Sequence, residues 1–189
     1  MSEHHRRRWG LLTLAVPELL TEPGTLLYVG AYAVFQGGRP RAARMDYGPN
    51  LAEIGHEITV LEAHKEALDA LRQTRFAKSF AHSVHGNIVD LETLDLPHSK
   101  YDYVFWWHGP EHVDAWQFVV ATKAMEKRTN KVIVCGSPWG WFPEGPEFDN
   151  PHNCHRQYMY YTSYAGLKYE VAAFGPKDRA GGNMVAWKR

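Results

Sequence analysis

Short, nearly continuous apolar runs punctuate this chain, and the apolar positions between them fall largely at helical spacing. Leu26-Leu27-Tyr28-Val29 stops at Gly30-Ala31, and Ile58-Thr59-Val60-Leu61 stops at Glu62. These runs predict strands at Thr25–Val29 and Glu57–Glu62. Residues 79–85 predict a third strand ending at Gly86-Asn87. Tyr101–Trp107 is a strongly apolar and aromatic fourth, and 131–135 a fifth, closed by Gly136-Ser137-Pro138. Helical spacing recurs in 9–20 (Trp9, Leu12, Leu19, Leu20) and in 64–75 (Ala67, Leu68, Leu71). It recurs again in 111–128, where Val113, Trp116, Val119, Val120 and Ala124 lie on roughly one face. Residues 31–50 are rich in Gly, Pro and Arg and read as an extended connection. A short helix near 50–54 closes it, with Gly55 in the stopping position.

Strands alternating with helices imply a parallel sheet covered on both faces. The end of the chain differs. Residues 168–174 and 183–187 are strand-like, and the turn-rich 175–182 is too short for a crossover helix, so they predict a terminal antiparallel hairpin. There are no repeats, low-complexity segments or inter-domain linker. One domain over 1–189 is expected, with 1–23 as an N-terminal tail and helix.

Composition narrows the function classes. Hydrophobic residues make up 44% and charged residues 22% of 189, ordinary for a globular protein. Lys+Arg and Asp+Glu balance at 21 each, so no global field favours nucleic acid or an anionic membrane, and a small-molecule partner is the better expectation. The basic cluster His4-His5-Arg6-Arg7-Arg8 reads as a frayed tail, with a partner-binding arm as the alternative. Residues 10–16 imitate a signal peptide only faintly, and no run approaches the ~18 residues of a membrane span. Cys135 and Cys154 make no disulfide framework, which points to a reducing cytoplasm. Several of the seven Trp stand next to strand ends, hinting at an aromatic-walled site.

A buried strand ending in glycine, followed by one ending in a carboxylate, is how α/β nucleotide sites are commonly built. The glycine lets backbone approach the ligand, and the acid accepts hydrogen bonds from ribose hydroxyls. The span from Gly30 to Glu62 exceeds the ~20 residues of a compact dinucleotide fingerprint, which an insertion in 31–49 would explain. Glu62 has a plainer alternative role, capping the helix that follows it.

With these elements in place, residues 24–189 resemble the class I S-adenosylmethionine-dependent methyltransferases, particularly small bacterial members. Tyr28-Val29-Gly30 stands where that family has its acidic-x-Gly motif, and Glu62 matches the ribose-binding acid. Gly86-Asn87-Ile88 matches the adenine-holding turn after strand three. Tyr101-Asp102-Tyr103-Val104 is similar to the aromatic-Asp-x-Val strand four. Asn150-Pro151 through His155, leading into Gly166-Leu167-Lys168-Tyr169-Glu170-Val171, is similar to the tail. The resemblance implies a three-layer α/β/α Rossmann-like fold with a mostly parallel seven-stranded sheet in the order 3-2-1-4-5-7-6. It also implies S-adenosylmethionine as cofactor, with Gly30 and Ala31 at its methionine part, Glu62 at the ribose, and Asn87 with Ile88 at the adenine. The glycine loop departs from the family. Gly30-Ala31-Tyr32-Ala33-Val34 keeps only the first glycine of Gly-x-Gly-x-Gly, and Tyr32 adds bulk where backbone normally meets the cofactor.

Methyl transfer asks the protein mainly to hold the nucleophile in line and remove its proton. His108, Glu111 and His112 follow strand four and are the candidate catalytic groups, since imidazole titrates near neutral pH. Trp107 and Trp139 are candidate substrate walls. The alternative makes Trp106 and Trp107 core and leaves the histidines to cap the next helix. His108-Gly109-Pro110-Glu111-His112 also fits the H-x-x-E-H zinc signature. However, a helix starting near Pro110 leaves His108 outside it, and no metal site is expected there. His152, Cys154 and His155 form a second set of ligand types, which His108 or His112 would complete if this loop folds over strand four. Residues 139–153 read equally as a lid or as a rigid surface loop. The expected function is therefore methyl transfer to a small molecule. A non-catalytic binding protein on the same fold and a nicotinamide-dependent oxidoreductase stand as alternatives.

Overall fold

A computed structural model describes residues 3–30, 35–36, 39–40, 47–141, 143, 145, 152, 154–178 and 182–189. Ala31 and Tyr32, Asn150-Pro151 and most of the 139–153 loop lie outside the described residues. Seven strands form one sheet: β1 (Thr25–Val29), β2 (Glu57–Glu62), β3 (His82–His85), β4 (Tyr101–Trp107), β5 (Thr129–Pro138), β6 (Glu170–Phe174) and β7 (Asn183–Lys188). Their order is β3-β2-β1-β4-β5-β7-β6. The first five run parallel and β7 is antiparallel to both of its neighbours. This is the expected sheet with its C-terminal hairpin. A separate two-residue antiparallel pairing joins Phe35–Gln36 to Arg39–Pro40 within the long connection.

Alternate residues of the central strands supply two cores, one on each face. Leu26, Tyr28, Ile58, Val60, Tyr103, Phe105 and Trp107 face α1 (Glu3–Ala15), α2 (Pro17–Thr21), α3 (Gly48–Ile54) and α4 (Lys65–Arg72). Leu27, Val29, Leu61, Val104, Trp106, Ile133 and Cys135 face α5 (Ala115–Arg128) and α6 (Tyr161–Ala165). On the first face the rings of Phe105 and Trp107 stack at 5.5 Å, and Tyr47 meets both edge-on. At the foot of the sheet, Thr25 N–H donates to the Asp102 carboxylate and Asp102 N–H donates to the Thr25 hydroxyl, which locks β1 to β4. At the outer edge, the Arg72 guanidinium donates to both the hydroxyl and the carbonyl of Ser83 in β3.

Several sequence expectations shift. Residues 4–8 lie inside α1 rather than in a frayed tail. Strand three starts later than residue 79, because Thr74 caps a 3₁₀ turn over Arg75–Ser79 that uses up its first residues. The same turn ends α4 at Arg72. Gly55 does stop α3, in the left-handed conformation with φ 102°. The largest change is in α5. Asp114 and Gln117 form a capping box, and Phe118, Ala121, Thr122 and Met125 make the buried stripe. Trp116 and Val120, expected on the inner face, are exposed, Trp116 by 63%. A helix has one inner face, and with Phe118, Ala121, Thr122 and Met125 on it, Trp116 and Val120 fall on the outer side.

Candidate functional site

Strand register puts the named residues on one rim. Val29 stands opposite Leu61 of β2 and Trp106 of β4, so Gly30 is level with Glu62 and Trp107. Glu62 in turn stands opposite His85, which brings Gly86-Asn87 to the same edge. Gly30 N–H donates to the Leu61 carbonyl at 2.9 Å and Gly86 N–H to the Glu62 carbonyl at 3.0 Å. From β1 the chain moves outward to β2 and β3, whereas β4 leads the other way to β5. The crevice between the carboxyl ends of β1 and β4 is therefore the topological switch point, where open α/β sheets take ligands.

At this rim Gly30 has φ 83°, and among the described residues a Cβ added there would meet nothing within 4 Å. The backbone is thus left-handed and uncrowded by the described residues, which suits a ligand lying on it. Glu62 is buried, and its Oε1 accepts from His64 N–H at 2.8 Å at the entrance to α4. That contact is the alternative capping role. It engages one carboxylate oxygen, and a carboxylate has capacity for further donors. Asn87 Oδ1 accepts from Val89 N–H, capping the 3₁₀ turn Ile88–Asp90, and Ile88 is buried beside it.

Beyond β4 the chain turns sharply. His108 has φ 50°, and Gly109 packs so tightly that a Cβ there would run into the Trp106 indole. A 3₁₀ turn, Pro110–His112, follows, so His108 does stand outside the helical segment. His108 Nδ1 lies 3.1 Å from Oε1 of Glu111, whose side chain is only 2% exposed. Burial alone would raise the Glu111 carboxyl. The hydrogen bond from His108, with the charges of His112 and His108, outweighs it and holds Glu111 below the usual carboxylate range. Burial, the largest effect, pushes His112 below the usual imidazole range against the pull of Glu111.

The segment after the loop does fold over strand four. Arg156 N–H and Gln157 N–H both donate to the Glu111 carbonyl, and the Gln157 side chain donates to the Pro110 carbonyl. His112 Nδ1 lies 3.3 Å from the Cys154 carbonyl, and the His112 and His155 rings are 4.9 Å apart. The second set of ligand types is split, however. His155 joins His112, while His152 turns toward His64 at 6.4 Å. Trp107 is 5% exposed, lies against Gly136 and packs in the core of the first face. Trp139 is half-buried and meets Tyr161 edge-on at 5.8 Å. Outside it, Trp141 and Tyr158 are exposed and 6.1 Å apart. A bridge between Gly140 and Met159 ties together the two ends of the 139–153 loop. Nothing in the sequence singles out the Tyr158 and Tyr161 rings, because no local pattern links them to the tryptophans.

The two thiols differ in kind. Cys135 is fully buried in β5, and burial, with the Glu111 charge, pushes its thiol far above the usual range. Cys154 is partly exposed. A maleimide added to folded protein should label Cys154 and spare Cys135, as read by peptide mass spectrometry. Equal labelling would mean that this core face opens readily.

No protein-family profile matches the chain, and no curated protein matches it in sequence. Solved structures do match in fold. N-methyltransferase NodS from Bradyrhizobium japonicum WM9 superposes with a TM-score of 0.62 at 14% identity, over 98% of this chain and 96% of that one. Magnesium protoporphyrin IX methyltransferase (ChlM) from Synechocystis PCC 6803, with bound SAH, gives 0.61 at 10% over 97% and 82%. A putative Zn-dependent alcohol dehydrogenase from Rhodobacter sphaeroides gives 0.60 at 11% over 99% and 98%. The chain has a class I methyltransferase-like Rossmann fold, and at these identities the likeness speaks to fold alone.

Proposed function

We propose that this protein is an S-adenosylmethionine-dependent methyltransferase acting on a small molecule, in the cytoplasm. The observation that carries this reading is the alignment of Gly30, Glu62 and Asn87 along one rim of the switch point. Gly30, followed by Ala31, would lie under the methionine part of the cofactor, where the left-handed backbone lets a ligand approach. The Glu62 carboxylate would accept from the ribose hydroxyls, and Asn87 with Ile88 would flank the adenine. When bound, the cofactor supplies a methyl group already activated by its sulfonium. His108 is the best-placed general base. Donation from Nδ1 to Glu111 leaves the Nε2 lone pair available to take a proton from the acceptor, and buried Glu111 fixes that tautomer. Trp139 would offer a flat face to the acceptor.

Isothermal titration with S-adenosylhomocysteine should show one equivalent bound in the micromolar range. A thermal-shift series should show a larger rise with that ligand than with NAD. Stabilisation by NAD alone would favour an oxidoreductase. No response to S-adenosylmethionine, S-adenosylhomocysteine or any adenine nucleotide would favour a non-catalytic binding protein on this fold.

A further inference from the structure

We propose that Glu111, His112 and His155 form a binding site for a first-row divalent transition-metal ion. One potential ligand atom from each lies within 4.8 Å of the others. A carboxylate with two imidazoles is the donor set that such ions take, whereas calcium and magnesium prefer oxygen alone. This grouping differs from the H-x-x-E-H pattern in the sequence. There the two histidines would share the ion, but here His108 bonds to Glu111 and the second imidazole comes from the far side of the 139–153 loop.

Two further observations point to a ligand. Glu111 Oε2 is excluded from solvent and has no hydrogen-bond partner among the described residues, the side chain being 2% exposed. A buried carboxylate oxygen left unsatisfied is costly, and a bound cation would relieve that cost. The site is also held from outside. The Cys154 carbonyl engages His112 Nδ1, which leaves Nε2 on the Glu111 side, 4.0 Å from Oε1. His108 holds the carboxylate in the same way that outer partners hold metal ligands. The bonds from Arg156, Gln157 and the Gln157 side chain to the Pro110–His112 turn fix the segment that presents His155. Arg156, the cation next to His155 on that segment, lies 3.7 Å from Asp114, which offsets its charge.

Ligand atoms around a tetrahedral zinc stand roughly 3.4 Å apart, given bonds near 2.1 Å. The observed spread must therefore close by about an ångström, within reach of imidazole rotation. Three protein ligands would leave a fourth position for water or a substrate atom. A second group, Glu57, His82 and His98, also brings ligand types together. It sits at the sheet edge, and its Glu57 Oε1 already accepts from His98 at 2.9 Å, so no orphaned buried atom asks for an ion there.

The test is titration of chelator-stripped protein with zinc chloride, and with cobalt(II) for its visible d–d absorption. One equivalent should bind with micromolar or tighter affinity, and cobalt should give the intense spectrum of a four-coordinate site. His155→Ala, on a partly exposed segment, and the isosteric Glu111→Gln should each weaken binding at least tenfold and abolish that spectrum. Circular dichroism of the metal-free variants checks that they fold, and His98→Ala should leave the affinity unchanged. Absence of binding would overturn the proposal. So would binding that survives His155→Ala or is lost in His98→Ala. Neither readout depends on methyl transfer, so the metal site and the methyltransferase reading can fail separately.

Discussion

Alanine at Gly136 should destabilise the protein by about 3 kcal/mol, read as a fall in Tm of roughly 6–12 °C for a chain of this size. Gly136 stands opposite Trp107 in the β4–β5 ladder. A Cβ there would land on the Trp107 ring at Cδ2 and Cε3, well inside van der Waals contact. Trp107 cannot simply swing away, because Phe105 stacks on one side of it and Tyr47 meets it edge-on. The methyl would therefore force the aromatic cluster, and α3 beyond it, to shift. Gly10→Ala makes the control. Gly10 is inside α1, and a Cβ added there would meet nothing within 4 Å, so alanine should stabilise by about 0.5–1 kcal/mol through helix propensity. If Gly136→Ala melts with the parent protein, Trp107 has room to move, and its assignment to a rigid core is wrong.

The second large effect falls on ligand binding. Glu62→Ala should weaken S-adenosylhomocysteine roughly 30- to 100-fold, the 2–3 kcal/mol typical of losing charge-assisted hydrogen bonds. Glu62→Gln should lose less, about tenfold, because an amide oxygen can still accept from a ribose hydroxyl. It can also still accept from His64 N–H, which stabilises the start of α4. The two variants thus separate the two roles of this side chain. If Glu62→Ala lowers the melting temperature but leaves the affinity unchanged, the carboxylate serves α4 alone and the ribose assignment is lost.

Much of this architecture was legible from the apolar runs. Strands buried on both faces read as unbroken hydrophobic stretches, which is why β1, β2 and β4 have the bounds that the sequence implies. Gly55 and the short C-terminal connection were legible for a similar reason, since backbone geometry and chain length leave few options. The inner face of α5 was not. Its stripe runs through Phe118, Ala121, Thr122, Ala124 and Met125, and hydrophobicity alone does not separate these from Trp116 and Val120. Nor does any local pattern reveal that Trp107 fills the space above Gly136, or that His155 and not His152 meets His112. Those contacts join segments far apart in the chain, and only the folded sheet brings them together. Gly30, Glu62 and Asn87 were legible as strand ends, and the register then places them on one rim. Tyr32, the residue that most distinguishes this glycine loop from the family pattern, lies outside the described residues.

The pairing of Arg72 with Ser83 has a meaning beyond α4 itself. β3 is four residues long and ends the sheet, so its outer backbone groups form a template onto which a strand from another molecule could add. Through its guanidinium, Arg72 bonds to the Ser83 hydroxyl and carbonyl and places a positive charge beside this edge strand. A charge at such a rim disfavours the addition of a strand from another copy of the chain.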